Sequence, residues 1–135
     1  MKTPRSSTER IRFRFQKLDV WHDARQLNRD IYRLSGAFPR EEQFALTSQV
    51  RRAAVSILAN IAEGSGRNSD RDYAHFLEQS YGSAMELASH LFLSHDLGYL
   101  GSESLEPALD QIEKTAIRIA ALNRSLGVDG SKDNI

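Results

Sequence analysis

The sequence predicts an all-α protein folded as an antiparallel up-down four-helix bundle. Apolar residues recur three and four positions apart in four segments, which is the spacing that places side chains on one face of a helix. No stretch between turn signals alternates apolar and polar residues as a half-buried strand does. The connections between the segments are short, and short connections make consecutive helices antiparallel neighbours.

The first two helices are predicted over about 19–37 and 41–63. Asp19 is a candidate N-cap for the first helix, and Gly36 ends it. The second helix is expected to end at Gly64, since glycine accepts the left-handed conformation that closes a helix. The apolar residues expected to face the core are Val20, Ala24, Leu27, Ile31 and Leu34 in the first helix and Leu46, Val50, Ala53, Ile57 and Ile61 in the second.

The third and fourth helices are predicted over about 69–97 and 102–126. Ser69 is expected to cap the third helix through its hydroxyl group. Gly82 lies in the middle of that helix and costs about 1 kcal/mol in helix propensity relative to alanine. We therefore expect the second helix to approach closely at Gly82. Pro107 is tolerated near the start of the fourth helix, where the first N–H groups lack helical acceptors.

The chain has 135 residues, which favours a single domain. We expect a flexible basic N-terminal arm over 1–12, the bundle over 13–126 and a disordered tail over 127–135. The absence of cysteine excludes disulfides, a thiolate nucleophile and a Cys-ligated zinc. No apolar run approaches the roughly 18 residues of a membrane span, and no signal-peptide segment is apparent. A cytoplasmic protein without a membrane partner is expected.

Charge is distributed unevenly along a chain whose formal net charge is zero. Residues 1–71 contain 14 Lys and Arg against 8 Asp and Glu, whereas residues 72–135 contain 4 against 10. This asymmetry permits a basic surface on a neutral molecule.

A polar stripe runs along the second helix beside its apolar face. Such a stripe indicates either a hydrogen-bonded seam between packed helices or a surface that meets a charged partner. We predict both uses. The residues predicted to form a structural seam against the third helix are Ser56, Asn60, Glu63 and Glu86. The residues predicted to bind nucleic acid are Arg51, Arg52, Arg67, Arg71, Arg12 and Arg14.

The sequence gives little support for a catalytic site or a metal site. Di-metal bundles need a Glu-x-x-His pair from each of two helices, but Asp72 and His75 supply one such pair with aspartate in place of glutamate. Glu86 and His90 stand four residues apart, without a second copy. Ser65 lacks the strand-turn-helix setting of a nucleophile elbow. We predict no metal, no cofactor and no enzymatic activity.

The central part of the chain resembles the four-helix-bundle proteins encoded in intervening sequences of bacterial 23S ribosomal RNA genes. The resemblance covers roughly 13–126. The motifs that carry it include Leu18-Asp19-Val20-Trp21, Phe38-Pro39, Leu46-Thr47-Ser48-Gln49-Val50-Arg51-Arg52-Ala53, Asn60-Ile61-Ala62-Glu63-Gly64, Phe76-Leu77, Gly82-Ser83-Ala84 and Leu97-Gly98-Tyr99-Leu100.

The resemblance implies assembly into a homo-oligomeric ring, typically a homopentamer, with no established enzymatic activity. Related accessory proteins of diversity-generating retroelements form pentameric barrels that bind nucleic acid. We therefore expect a ring that binds RNA or DNA through its basic residues without strong sequence specificity. The alternative is a protein–protein interaction scaffold or accessory subunit that makes no direct contact with nucleic acid.

Overall fold

The computed structural model describes residues 9–128, which form four α-helices and no β-strand. The helices are α1 (Asp19–Ser35), α2 (Leu46–Ser65), α3 (Asp70–Asp96) and α4 (Ser102–Ser125). Each helix packs against two others, so that α1 contacts α2 and α4, and α3 contacts α2 and α4. The predicted four-helix bundle is confirmed. Residues 1–8 of the predicted arm and 129–135 of the predicted tail lie outside the described part of the chain.

Hydrogen bonds between α1 and α2 show that these helices are antiparallel. The Asn28 amide donates to the main-chain oxygen of Ala54 over 2.7 Å. Seven residues further along α1, the Ser35 hydroxyl accepts a 2.8 Å bond from Nε of Arg51, which lies earlier on α2. Later positions of α1 thus meet earlier positions of α2.

The contact between α2 and α3 follows the same pattern. The Ser80 hydroxyl donates to the main-chain oxygen of Ile57 over 2.8 Å, and this bond is buried. The hydroxyl groups of Ser56 and Ser83 lie 2.7 Å apart. The order of partners is again reversed along the two helices, which establishes the up-down topology at this contact.

The core consists of the apolar faces that the helical spacing predicts. Its members share low exposure and come from all four helices. They include Val20, Ala24, Leu27 and Ile31; Val50, Ala53, Ile57 and Ile61; Tyr73, Leu77, Ala84, Leu87 and Leu91; and Leu105, Ile112, Ala116 and Ile119. None of the described helices is both long enough and apolar enough to cross a bilayer.

The start of α2 differs from the prediction, because Arg40–Glu42 forms a separate 3-10 turn and the α-helix begins at Leu46. The Glu42 carboxylate explains the later start. One of its oxygens accepts from the Leu46 N–H at 3.2 Å, and the other accepts a 2.7 Å bond from the Tyr99 hydroxyl. Glu42 therefore caps α2 from outside the helix. It supplies an acceptor to the Leu46 N–H, since the first N–H groups of a helix have none within the helix itself.

Two other helix ends test the cap predictions. Ser69 is the N-cap of α3, and its hydroxyl accepts from the Asp72 N–H at 3.1 Å, so that prediction is confirmed. Asp19 is the first residue of α1 and Leu18 occupies the N-cap. The Asp19 prediction is wrong by one position, although a carboxylate in the first turn still favours the helix dipole.

The close approach predicted at Gly82 occurs instead at Gly64. A Cβ atom added at Gly82 meets no atom of the described residues within 4 Å. One added at Gly64 lies 2.9 Å from Cβ of Phe76 and 3.0 Å from Cδ1 of Tyr73. Gly64 is buried inside the last turn of α2 rather than closing the helix, and Gly66 is the C-cap. Its missing side chain lets the end of α2 touch the beginning of α3.

These two glycines give a matched pair of substitutions. Gly64→Ala should lower the free energy of unfolding by about 1–3 kcal/mol, since overpacking displaces neighbouring side chains. Gly82→Ala should raise it by about 0.5–1 kcal/mol, because alanine has the higher helix propensity and the site is open. Urea unfolding followed by circular dichroism measures both values. Equal shifts of the same sign would contradict the assigned contact.

The buried Tyr73 predicts a dependence of stability on alkaline pH. Its side chain is 2% exposed, and its hydroxyl has no hydrogen-bond partner within residues 9–128. Burial raises the pKa of Tyr73, although the nearby Arg14 opposes the shift. A folded-state pKa above the unfolded value of about 10 means that stability is complete below that pH and is lost as the pH rises through the folded pKa.

Tyr73→Phe should therefore weaken the loss of stability at alkaline pH. At neutral pH it should raise the free energy of unfolding by about 1 kcal/mol, because an unsatisfied buried hydroxyl is removed. Urea unfolding at several pH values between about 7 and 11 measures both effects. Tyr81→Phe, at an exposed position of α3, is the control and should follow the unsubstituted protein.

Candidate nucleic-acid interface

Arg51 connects α2 to α1 and keeps its charge in doing so. Its Nη2 donates to the main-chain oxygen of Tyr32 at 3.1 Å, and its Nε donates to the Ser35 hydroxyl. The guanidinium carbon lies 4.7 Å from the centre of the Tyr32 ring, a cation–π arrangement. These partners are neutral, so the orientation of Arg51 is held without charge neutralisation.

Arg52 follows on α2 but points away from α1, because successive helical residues are rotated by about 100°. Its side chain is exposed. It makes no hydrogen bond or ion pair with any residue that the structure describes. Arg51 and Arg52 therefore supply one fixed and one free guanidinium group on the same stretch of helix.

Both arginines line a groove at the start of α2, between this helix and the end of α1. The groove has a volume of about 580 Å³. Its lining consists of Tyr32, Gln43, Phe44, Thr47, Ser48, Arg51, Arg52, Val55 and Ser56. Among the described residues, this lining contains two cations, several hydroxyl groups and no carboxylate, so an anionic group is the ligand that its charge favours.

The predicted binding residue Arg67 lies at the other end of α2 and is partly neutralised. Its Nη1 lies 3.9 Å from a Glu63 carboxylate oxygen, and its Nη2 lies 4.0 Å from Asp72. The guanidinium carbon is 5.2 Å from the centre of the Phe76 ring. Arg71 is close by on the first turn of α3, with an exposed side chain.

Arg14 also lies at the junction of α2 and α3, and Arg12 precedes it by two residues in the chain. Arg14 donates to the main-chain oxygen of Ser65 at 3.0 Å, and its guanidinium carbon lies 5.1 Å from the centre of the Tyr73 ring. Arg12 has an exposed side chain, and its N–H donates to the Gln16 side chain at 2.7 Å.

The six predicted binding residues therefore fall into two groups. Arg51 and Arg52 line the groove, whereas Arg67, Arg71 and Arg14 lie at the junction of α2 and α3, and Arg12 precedes Arg14 by two residues in the chain. From Arg52 to Ser65, the last residue of α2, the helix rises by about 20 Å. The structure therefore places the predicted binding residues in two groups along α2 rather than in one cluster.

The predicted polar seam is divided in a similar way. The Asn60 amide donates to the main-chain oxygen of Ser56 at 2.8 Å and to its hydroxyl at 3.0 Å. Ser83, which the prediction missed, completes this network through its bond to Ser56. Glu63 and Glu86 are exposed and lie outside it. Ser83 stands three residues before Glu86 in the sequence. Residues at this spacing are neighbours on a helix surface, so the spacing could have indicated Ser83.

The histidines of α3 pair locally. His90 lies 3.2 Å from a carboxylate oxygen of Glu86, and His75 lies 3.0 Å from the Gln79 amide nitrogen. Within residues 9–128, no three His, Asp or Glu side chains form a group that could hold a metal ion.

The family comparison agrees with these features of the fold. The family model described as "23S rRNA-intervening sequence protein" matches residues 16–121. The chain belongs to this family. The predicted resemblance is thereby confirmed, whereas the relation of this family member to retroelement accessory proteins stays a prediction.

A solved structure has the same fold. It is a crystal structure from Bacteroides thetaiotaomicron of a protein with unknown function from the S23 ribosomal protein family. The two proteins are 22% identical, with a TM-score of 0.72, and the match covers 77% of this chain and 97% of the other. A search of curated proteins gives no significant match.

The two groove arginines should differ in their effect on folding. Arg51→Ala should lower the free energy of unfolding by about 1–2 kcal/mol, because it removes bonds from a charged donor to α1. Arg51→Lys should restore little of this loss, since an ammonium group lacks the planar fork. Arg52→Ala should stay within about 0.5 kcal/mol of the unsubstituted protein. Urea unfolding distinguishes the three, and an equal loss in both alanine variants would contradict the assigned roles.

Proposed function

We propose that this family member is a non-enzymatic protein that binds RNA or DNA, chiefly through Arg51 and Arg52. The observation that supports this proposal most is the groove, whose lining within residues 9–128 has two cationic side chains and no carboxylate. A guanidinium group matches phosphate oxygens in a bidentate geometry. Arg51 is already oriented by α1, and Arg52 is free to follow the phosphate backbone.

The second group of arginines extends the contact. Arg67, Arg71, Arg12 and Arg14 make up this group. It lies about 20 Å from Arg52 along α2, a distance equivalent to about six steps of 3.4 Å along one DNA strand. Contacts to the backbone at both positions give affinity without sequence specificity, because phosphate groups carry no base information.

Self-association into a ring, such as a homopentamer, would multiply these contacts. Each subunit contributes few phosphate contacts by itself, whereas linked copies bind with a high effective concentration. Exposed apolar side chains along α3 support self-association, since such patches mark interaction surfaces. They include Tyr81, Met85, Phe92 and Leu93.

The same apolar side chains favour a second candidate function, that of a scaffold for another protein. In that case, the α3 surface would carry the activity and the arginines would be incidental. The predicted cytoplasmic location is compatible with either function and stays a prediction.

Binding should depend strongly on salt if the nucleic-acid proposal is right. With about four phosphates neutralised per site, log K should fall against log salt concentration with a slope of about −3 to −4. Fluorescence anisotropy with generic RNA and duplex DNA, between about 50 and 300 mM salt, measures the slope. Arg52→Ala should weaken binding to all sequences alike and reduce the slope by about 1.

Arg124→Ala is the matched control, because Arg124 is exposed on α4, away from the groove. It should leave the affinity nearly unchanged. A slope near zero, or full binding by the Arg52 variant, would contradict the proposal. Light scattering on a sizing column tests the ring separately. Capture of a protein partner that survives nuclease treatment, together with a flat salt response, would favour the scaffold.

A further inference from the structure

The groove beside Arg52 presents an unusually exposed aromatic ring. Phe44 is 90% exposed, although a ring of this size gains free energy from burial. The next most exposed aromatic residue of the described chain is Phe13, at 57%. The Phe44 ring therefore has almost no intramolecular packing partner while standing at the wall of a concave, positively charged site.

The backbone that carries Phe44 is held in place on both sides. The Gln43 N–H donates to the Arg40 oxygen, and the Ala45 N–H donates to the Glu42 oxygen, each at 3.0 Å. The Glu42 carboxylate also caps α2 and accepts from the Tyr99 hydroxyl. These hydrogen bonds hold the backbone on both sides of Phe44. The exposed ring therefore projects from an ordered turn rather than from a free loop.

A second ring and its cation stand in the same groove. Tyr32 is 46% exposed, and the guanidinium of Arg51 covers part of it at 4.7 Å from the ring centre. Nucleobases stack on aromatic rings and on guanidinium planes. Hydroxyl and amide groups of Thr47, Ser48 and Gln43 also line the groove, and they can donate to base edges or phosphate oxygens.

A second cavity of similar size lacks this combination. It measures about 600 Å³ and lies between α1 and α4. Its lining includes the carboxylates of Asp30 and Glu103, and its Arg33 is paired with Asp30 at 3.2 Å. This second cavity has no excess of positive charge, although the two volumes are nearly equal.

We propose that the groove is a base-stacking subsite for a single-stranded polynucleotide, in which a nucleobase stacks on Phe44 beside the Tyr32–Arg51 pair and an adjacent phosphate contacts Arg52. Single-strand-binding proteins combine aromatic platforms with basic grooves in this way. The volume of about 580 Å³ lies within the usual range of about 300–1,000 Å³ for ligand sites. Bases within a duplex are already stacked on each other, so they cannot occupy the groove. This inference rests on the proposed function and specifies that the bound nucleic acid is single-stranded.

The test compares two single strands of equal charge that differ in their bases, and it adds a duplex and a mononucleotide as further probes. The probes are a single-stranded oligothymidine of about 12 nucleotides, an abasic strand of the same length, a duplex of the same length and thymidine monophosphate. The intact protein should bind the single strand at least about fivefold more tightly than the abasic strand, because one stacked base is worth about that factor or more. Thymidine monophosphate should bind far more weakly than the strand.

The variants separate stacking from charge. Phe44→Leu should abolish the preference for the base-containing strand without changing the salt slope, since it removes a ring and no charge. Phe44→Trp should keep or increase the preference, because it retains an aromatic surface. Ile117→Ala, at an exposed apolar position on α4 that does not line the groove, is the control for the loss of exposed apolar surface and should behave as the unsubstituted protein. Circular dichroism checks that each variant is folded.

The outcomes distinguish this inference from the proposed function. Equal binding of abasic and base-containing strands, or an unchanged preference in Phe44→Leu, would overturn the stacking subsite. If Arg52→Ala and salt still weaken binding in that case, electrostatic nucleic-acid binding stands without base stacking. Tighter binding of the duplex than of the single strand would also overturn the inference. If no probe binds in a salt-dependent way, both proposals fail.

Discussion

The structure depends on two buried hydrogen bonds that α2 accepts through its own main-chain oxygens. Ala54 accepts from the Asn28 amide of α1, and Ile57 accepts from the Ser80 hydroxyl of α3. A buried donor left without its acceptor costs about 1–3 kcal/mol. Sliding α2 by one residue would break the Ser80 bond to Ile57 and the Asn28 bond to Ala54, and would leave Asn28 only its bond to Ala24 within α1. Because Ala54 has a small side chain, a neighbouring helix can come close enough for its amide to reach the main chain.

This register decides the geometry of the groove. Arg51 lies one turn before Ala54 on the face that meets α1, so its guanidinium group reaches Ser35 and Tyr32. Arg52, one position further, is rotated toward solvent. The same side-chain bonds that hold three helices together thus leave one cation oriented by α1 and the other exposed to solvent. The register of α2 therefore determines both the packing of the helices and the positions of Arg51 and Arg52.

Within the described residues, the lining of the groove contains two arginines and no carboxylate, and Glu42 does not line it. Glu42 accepts from the Leu46 N–H and from the Tyr99 hydroxyl, and its bond with Tyr99 raises the pKa of that phenol. Arg67 has carboxylate neighbours at both 3.9 and 4.0 Å, so the junction of α2 and α3 has less free positive charge. The two groups of arginines therefore differ in how many carboxylates lie close to them.

The sequence by itself determined the helices, the buried faces and the Ser69 cap, because helical periodicity and capping depend on residues within one or two turns of each other. It also contained the motifs of the family. Only the tertiary structure decided that Gly64 rather than Gly82 makes the close contact, that Glu42 delays the start of α2, and that Phe44 stands exposed beside Arg52. These features depend on contacts between residues far apart in the chain, and local spacing carries no information about which of two small or charged residues will meet a neighbouring helix.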